Sequence, residues 1–135
     1  MITPRRQTLL FLGVIGAIGW FLAGHAPADG SAYPPCLFHA LTGWHCPGCG
    51  SARALHALAN ANLRAAFGYN VLAMFVLAAL TPWGVWQAWL GVRHNRFATL
   101  ALPPAAGWSI VGTIVVFTLA RNLPWPPFSW LAPAG

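Results

Sequence analysis

The chain contains no lysine and no glutamate, and its only acidic side chain is Asp29. These absences exclude whole classes of chemistry. Paired-carboxylate acid–base catalysis needs two acids, and a magnesium or calcium cage needs several. A P-loop or a Schiff base needs a lysine. Charged residues make up 6% of the 135 positions, against about a quarter in soluble domains. With 58% hydrophobic residues, there is too little charge to build a water-facing surface. The length suits one compact unit, a single multi-pass membrane domain spanning residues 1–135.

The formal charge of +6 reflects missing acids and not a basic patch. The arginines are dispersed as Arg5, Arg6, Arg53, Arg64, Arg93, Arg96 and Arg121, with no dense stripe to follow phosphates, which excludes nucleic acid as a partner. Most lie close to the end of a hydrophobic run, where arginine marks the edge of a membrane span. The partner implied is the lipid bilayer.

The hydrophobic runs set the fold class. The first, Leu9 to Gly24 with its flanks, predicts a span over about residues 8–26. Gly13, Gly16, Gly19 and Ala23 share its overlapping faces, small residues that permit close packing against a partner membrane protein or a second copy. The basic start and the Ala26-Pro27-Ala28 triplet also fit a signal peptide; a retained span is the preferred reading. Residues 25–35 form a Pro/Gly/Ser/Asp linker. A second span covers residues 71–90, with Asn70 as its cap, a kink expected at Pro82, and Trp83, Trp86 and Trp89 as an aromatic belt. The third covers residues 104–120, with proline in its first turn and Arg121 just past its end. The tail from Asn122 should lie along the interface. The fold expected is therefore all-α and membrane-integral. It has about three transmembrane helices, with a short cysteine-rich interfacial or re-entrant segment, residues 36–69, between the first and second. Arg5, Arg6, Arg93 and Arg96 outnumber Arg53, Arg64 and Arg121, which puts the N-terminus in the cytoplasm and the cysteines outside.

All three cysteines, Cys36, Cys46 and Cys49, lie in that segment with His39, His45 and His56. Cys46-Pro47-Gly48-Cys49-Gly50 spaces two thiols around a turn: proline fixes one φ, while Gly48 and Gly50 can take positive φ. Such a turn can aim both sulfurs at one tetrahedral metal or at each other. Cys36 as a third sulfur and one of His39, His45 or His56 as a nitrogen would complete a Cys3His site for zinc or another soft metal. A disulfide anchoring the loop needs only two of the three thiols and leaves one over. Redox exchange is the third use, with Cys46 and Cys49 as the catalytic pair. Ser51 would cap a helix directly after Cys49, beside Arg53, and both favour thiolate at Cys49. The leading reading is a non-enzymatic membrane module with a metal-binding or disulfide-stabilised site. A thiol–disulfide oxidoreductase subunit and an accessory subunit of a membrane complex are the alternatives.

Cys36, Leu41-Thr42-Gly43, Cys46 to Gly50, Arg53-Ala54 and Asn70 resemble, in order and spacing, a bacterial membrane family named for domain of unknown function 2752. The departures are Leu37, Ala52, Ala61-Asn62 and Val71, where the family pattern has proline, threonine, Gly-Asp and proline. The resemblance implies a multi-pass protein of the bacterial inner membrane and brings no activity with it. It adds Gly43, Pro47, Gly48, Gly50, Arg53 and Asn70 as residues that shape the site.

Overall fold

The computed structural model describes residues 3–27 and 36–133. Within them the fold is helical, with no strand. The helices are α1 (Pro4–Gly24), α2 (Leu37–Thr42), α3 (Ser51–Ala59), α4 (Leu63–Tyr69), α5 (Val71–His94) and α6 (Pro104–Ala120), followed by a 3₁₀ turn at Phe128–Leu131. Residues 28–35 of the expected linker, including Ala28 of the cleavage-like triplet, lie outside the described residues.

Two helices, α1 and α5, are long and apolar enough to cross a membrane. Their limits differ from the expectation. Helix α1 starts at Pro4, four residues early, because proline fits the first helical turn and carries the helix through Arg5 and Arg6. It stops at Gly24 and not at residue 26. Helix α5 continues past Leu90 to His94 and ends on Asn95 in the left-handed region, φ 51°. It runs through Pro82 as one element. Helix α6 has the expected limits, but its 17 residues make only about 26 Å of helix at 1.5 Å per residue.

Helices α1 and α5 pack antiparallel. The Arg5 amide donates to Asn95 Oδ1 at 2.9 Å, so the start of α1 meets the end of α5. One turn further in, Thr8 and Gly91 are both buried, and a Cβ on Gly91 would collide with the Thr8 hydroxyl. At the other end of α1, the carbonyls of Leu22 and Ala23 accept from His56 Nδ1 and Asn60 Nδ2. Segment 36–69 thus folds as three short helices, of which α3 sits on the ends of α1 and α5 and α4 on α5. Its core is Ala54, Ala57, Ala66 and Met74, covered by Leu58, Ala65 and Tyr69. Small alanines let α3 and α4 approach closely, and Asn62 and Asn70 cap α4 and α5 by accepting from Ala65 and Ala73.

Helix α6 ends beside this cap, and the tail beyond it turns back so that the 3₁₀ turn packs on α4 and α6. Toward α5 it leaves an apolar cleft of about 350 Å³ lined by Leu72, Val76, Ile110, Thr113, Ile114 and Pro47. The Ser109 and Thr113 hydroxyls donate to carbonyls one turn back, at 3.0 and 2.8 Å, and so present little polarity to it.

The Gly91 contact gives a sign test. Gly91→Ala should lower stability in detergent micelles by about 1–3 kcal/mol through overpacking. Gly84→Ala, which meets open space, should be neutral or stabilise by up to about 1 kcal/mol through helix propensity. Equal melting temperatures for the two variants would mean that α1 and α5 do not meet at Thr8.

Candidate metal centre

The Cys46–Cys49 segment closes a β-turn. The Cys49 amide donates to the Cys46 carbonyl at 3.1 Å, and the Ser51 amide follows to the Gly48 carbonyl at 3.0 Å. Proline at the second position pre-sets this turn. Only one of its two glycines uses positive φ: Gly50, at 84°, whereas Gly48 stays outside that region. Gly50 is constrained twice, because a Cβ there would also strike the Tyr69 carbonyl oxygen. Gly43 takes φ 71° and ends α2, its amide donating to the His39 carbonyl at 2.8 Å. That stop turns the chain from Cys36 back toward Cys46.

The result is a group of three sulfurs. Cys36 Sγ lies 3.3 Å from Cys46 Sγ, and Cys46 Sγ 3.0 Å from Cys49 Sγ. All three ligand atoms fall within 4.8 Å of one another. The thiols are free and partly buried, and the Cys46 amide donates to Cys49 Sγ at 3.2 Å. The group contains no histidine. His39 and His45 stack on each other, centroids 4.5 Å apart, with His39 Nδ1 at 3.2 Å from the Trp44 carbonyl. His56 is committed to the Leu22 carbonyl. Burial, then the charges of His39 and Arg121, push His45 below its ordinary pKa and keep its imidazole neutral.

The sulfurs are unequal, in the opposite order to that expected from the helix start and Arg53. Hydrogen bonds from the His39 amide, then from Cys46 and Cys49, hold Cys36 below the usual thiol pKa. Burial, then its hydrogen bonds with Cys46 and Cys36, push Cys49 up to about 12. Ser51 is not a cap: Gly50 holds the cap position, and Ser51 begins the helix with its hydroxyl accepting from Asn70 at 3.0 Å.

What fixes the turn comes from two distant helix ends. Asn70, 1% exposed, donates to the Pro47 and Cys49 carbonyls at 2.9 and 3.2 Å while its oxygen caps α5. Arg121, also 1% exposed, donates to the carbonyls of Cys46 at 2.8 Å, Pro47 at 3.3 Å and Cys49 at 3.1 Å. It also lies 4.9 Å from the Phe117 ring centroid. The neighbouring Asn122 accepts from the His45 amide at 2.7 Å and donates to the His45 carbonyl at 2.9 Å. Sequence reasoning read Arg121 as a span-edge arginine and did not single out Asn122. Nothing in their local sequence sets them apart, because their partners lie more than 70 residues away.

Among the described residues, the fold and site together define a helical protein with two membrane-length helices and, at their shared end, a group of three cysteines, two of them in one turn. Residues 36–84 match the model of a family described as "Protein of unknown function (DUF2752)". The match covers the cysteine turn, its α3–α4 support and the first part of α5. No curated protein and no solved structure matches the chain.

The thiol order predicts reactivity. In reduced, metal-free protein, thiolate is the nucleophile. A lowered pKa leaves Cys36 ionised below the pH at which an ordinary thiol reacts, and a pKa near 12 leaves Cys49 protonated. Iodoacetamide labelling mapped by mass spectrometry, from pH 7 upward, should therefore modify Cys36 first and Cys49 last. Early modification of Cys49 would contradict the burial and hydrogen bonding described for it.

Proposed function

We propose that the chain is a multi-pass membrane protein that binds one soft divalent metal ion, zinc in the first instance, through Cys36, Cys46 and Cys49. The observation that carries this reading is the convergence of three sulfurs within 4.8 Å. A disulfide uses two sulfurs and gives no reason for a third to join them. Three thiolates about 2.3 Å from one tetrahedral ion stand about 3.8 Å apart, within the range already spanned here and reachable by small side-chain rotations. A water or another exogenous ligand would complete the tetrahedron. The ion would link α2 to the cysteine turn; the chain's own contribution is to keep the thiols together and partly dry.

Support for the bilayer comes from what the long helices leave uncovered. In α1 and α5 the apolar stretch is 6% buried, and Phe11, Val85 and, on α6, Val116 are each more than 60% exposed. Apolar surface of this extent needs an apolar surrounding. Trp20, Trp44, Trp125 and Trp130 belong to the cysteine end, and Trp86, Trp89 and Trp108 to the other, two groups that match the interfacial belts of a span. Burial of Arg121 also removes it from the exposed charges, leaving Arg64 and the partly buried Arg53 at the cysteine end against the exposed Arg5, Arg6, Arg93 and Arg96 at the other. That asymmetry favours a cytoplasmic N-terminus and an extracytoplasmic site at a bacterial inner membrane. On intact cells treated with chelator and reductant, a membrane-impermeant maleimide should label Cys36. Labelling only after lysis would reverse the orientation.

A thiol–disulfide exchanger is the second reading, favoured by the central position of Cys46, whose sulfur is in reach of both others. The high pKa of Cys49 weakens it as a nucleophile. Metal analysis of detergent-purified protein separates the two. One zinc per chain is expected, lost to a similar degree in Cys36→Ser, Cys46→Ser and Cys49→Ser. Mixed disulfides trapped by one variant alone, from a parent without metal, would replace the metal reading with the redox one.

A further inference from the structure

Arg121 carries a charge that its surroundings do not balance. Its guanidinium is protonated under all ordinary conditions, and burying a lone cation costs several kcal/mol. The carbonyls of Cys46, Pro47 and Cys49 and the negative end of α6 offset part of that cost, but they supply only partial charges. None of the described residues has a carboxylate side chain, and the buried Arg121 Nε has no hydrogen-bond partner among them. The groups beside it able to carry a full negative charge are thiols. They belong to Cys46 and Cys49, whose carbonyls hold the guanidinium.

We infer that Arg121 is the counter-cation of the three-sulfur centre and fits it to a divalent ion bound by three thiolates and one uncharged fourth ligand. This rests on the metal-binding reading of the three cysteines. Three thiolates around a divalent ion leave one negative charge, which one guanidinium neutralises. A monovalent ion would leave two negative charges, and a disulfide beside a protonated third thiol would leave the arginine uncompensated. The arginine is a positioning residue: it touches the backbone of the ligating turn and acts on the ion through charge and geometry.

The two contributions separate by substitution. Arg121→Lys keeps the charge and loses the fork of donors, whereas Arg121→Gln keeps an amide donor and loses the charge. With full-length protein in detergent, Zn²⁺ affinity is measured by competition with a chromophoric chelator, and the Co²⁺ form is followed by its sulfur-to-metal charge-transfer band. Arg121→Gln should weaken Zn²⁺ binding about 10- to 100-fold, the range found for residues that support metal ligands, and Arg121→Lys should recover most of that loss. Equal losses in both, or none in Arg121→Gln, would overturn the charge role while leaving the metal site standing. Parent protein that binds no Zn²⁺ would overturn the metal reading and this inference together. The Co²⁺ form of the parent keeps the question open to test if Arg121→Gln does not fold. Added imidazole, which is uncharged, should shift its spectrum at lower concentration than azide; the reverse order would overturn the inference.

Discussion

The arrangement depends on the capture of one turn's carbonyl groups by two buried side chains. Arg121 and Asn70 together take up the carbonyls of Cys46, Pro47 and Cys49. An unpaired buried carbonyl is costly, and a buried guanidinium without acceptors costs more. Each half therefore requires the other. Removing the arginine would leave the Cys46 carbonyl with the Cys49 amide alone and the Pro47 and Cys49 carbonyls with Asn70 alone, and a changed turn would strand a cation.

This mutual requirement also ties together helices that otherwise touch little. Asn70 caps α5, and Arg121 ends α6, so the turn bridges two helices separated lower down by an apolar cleft. Asn122 extends the tie to His45. At the opposite end, Gln87 holds Ala98 by the same paired use of a side-chain amide, at 2.6 and 2.9 Å. Specific polar bonds at the ends, with apolar and loosely packed lengths between, suit a medium in which apolar contact between helices gains little over apolar contact with the surroundings. The site is then the best-specified part of the molecule, and the helices set where it sits.

Much of the local structure was legible from the sequence because it depends on neighbours along the chain. The start of α6 follows from the proline in its first turn, and the cap of α5 from Asn70. Limits failed where flanking polar residues were compatible with helix, as at Pro4 and beyond Leu90. The histidines were misplaced as metal ligands for a different reason. His39, His45 and His56 have the spacing for ligation, yet His56 is drawn to the end of α1 and the other two stack together. Spacing restricts what a side chain can reach without fixing what it touches.

The ordering of the thiols follows the same division. A helix start and an arginine next to Cys49 predicted an acidic thiol there, but burial and hydrogen bonds among the sulfurs push it up to about 12. From composition alone came the lack of carboxylate chemistry, the helical and apolar character, and the concentration of chemistry at three cysteines. These are properties of residue type and short-range pattern. The tertiary structure decided that Cys36 joins Cys46 and Cys49, that His39, His45 and His56 lie outside that group, and that Arg121 holds the carbonyls of the turn. Contacts across 10 to 75 residues are set by how helices pack, and neither periodicity nor propensity carries that information.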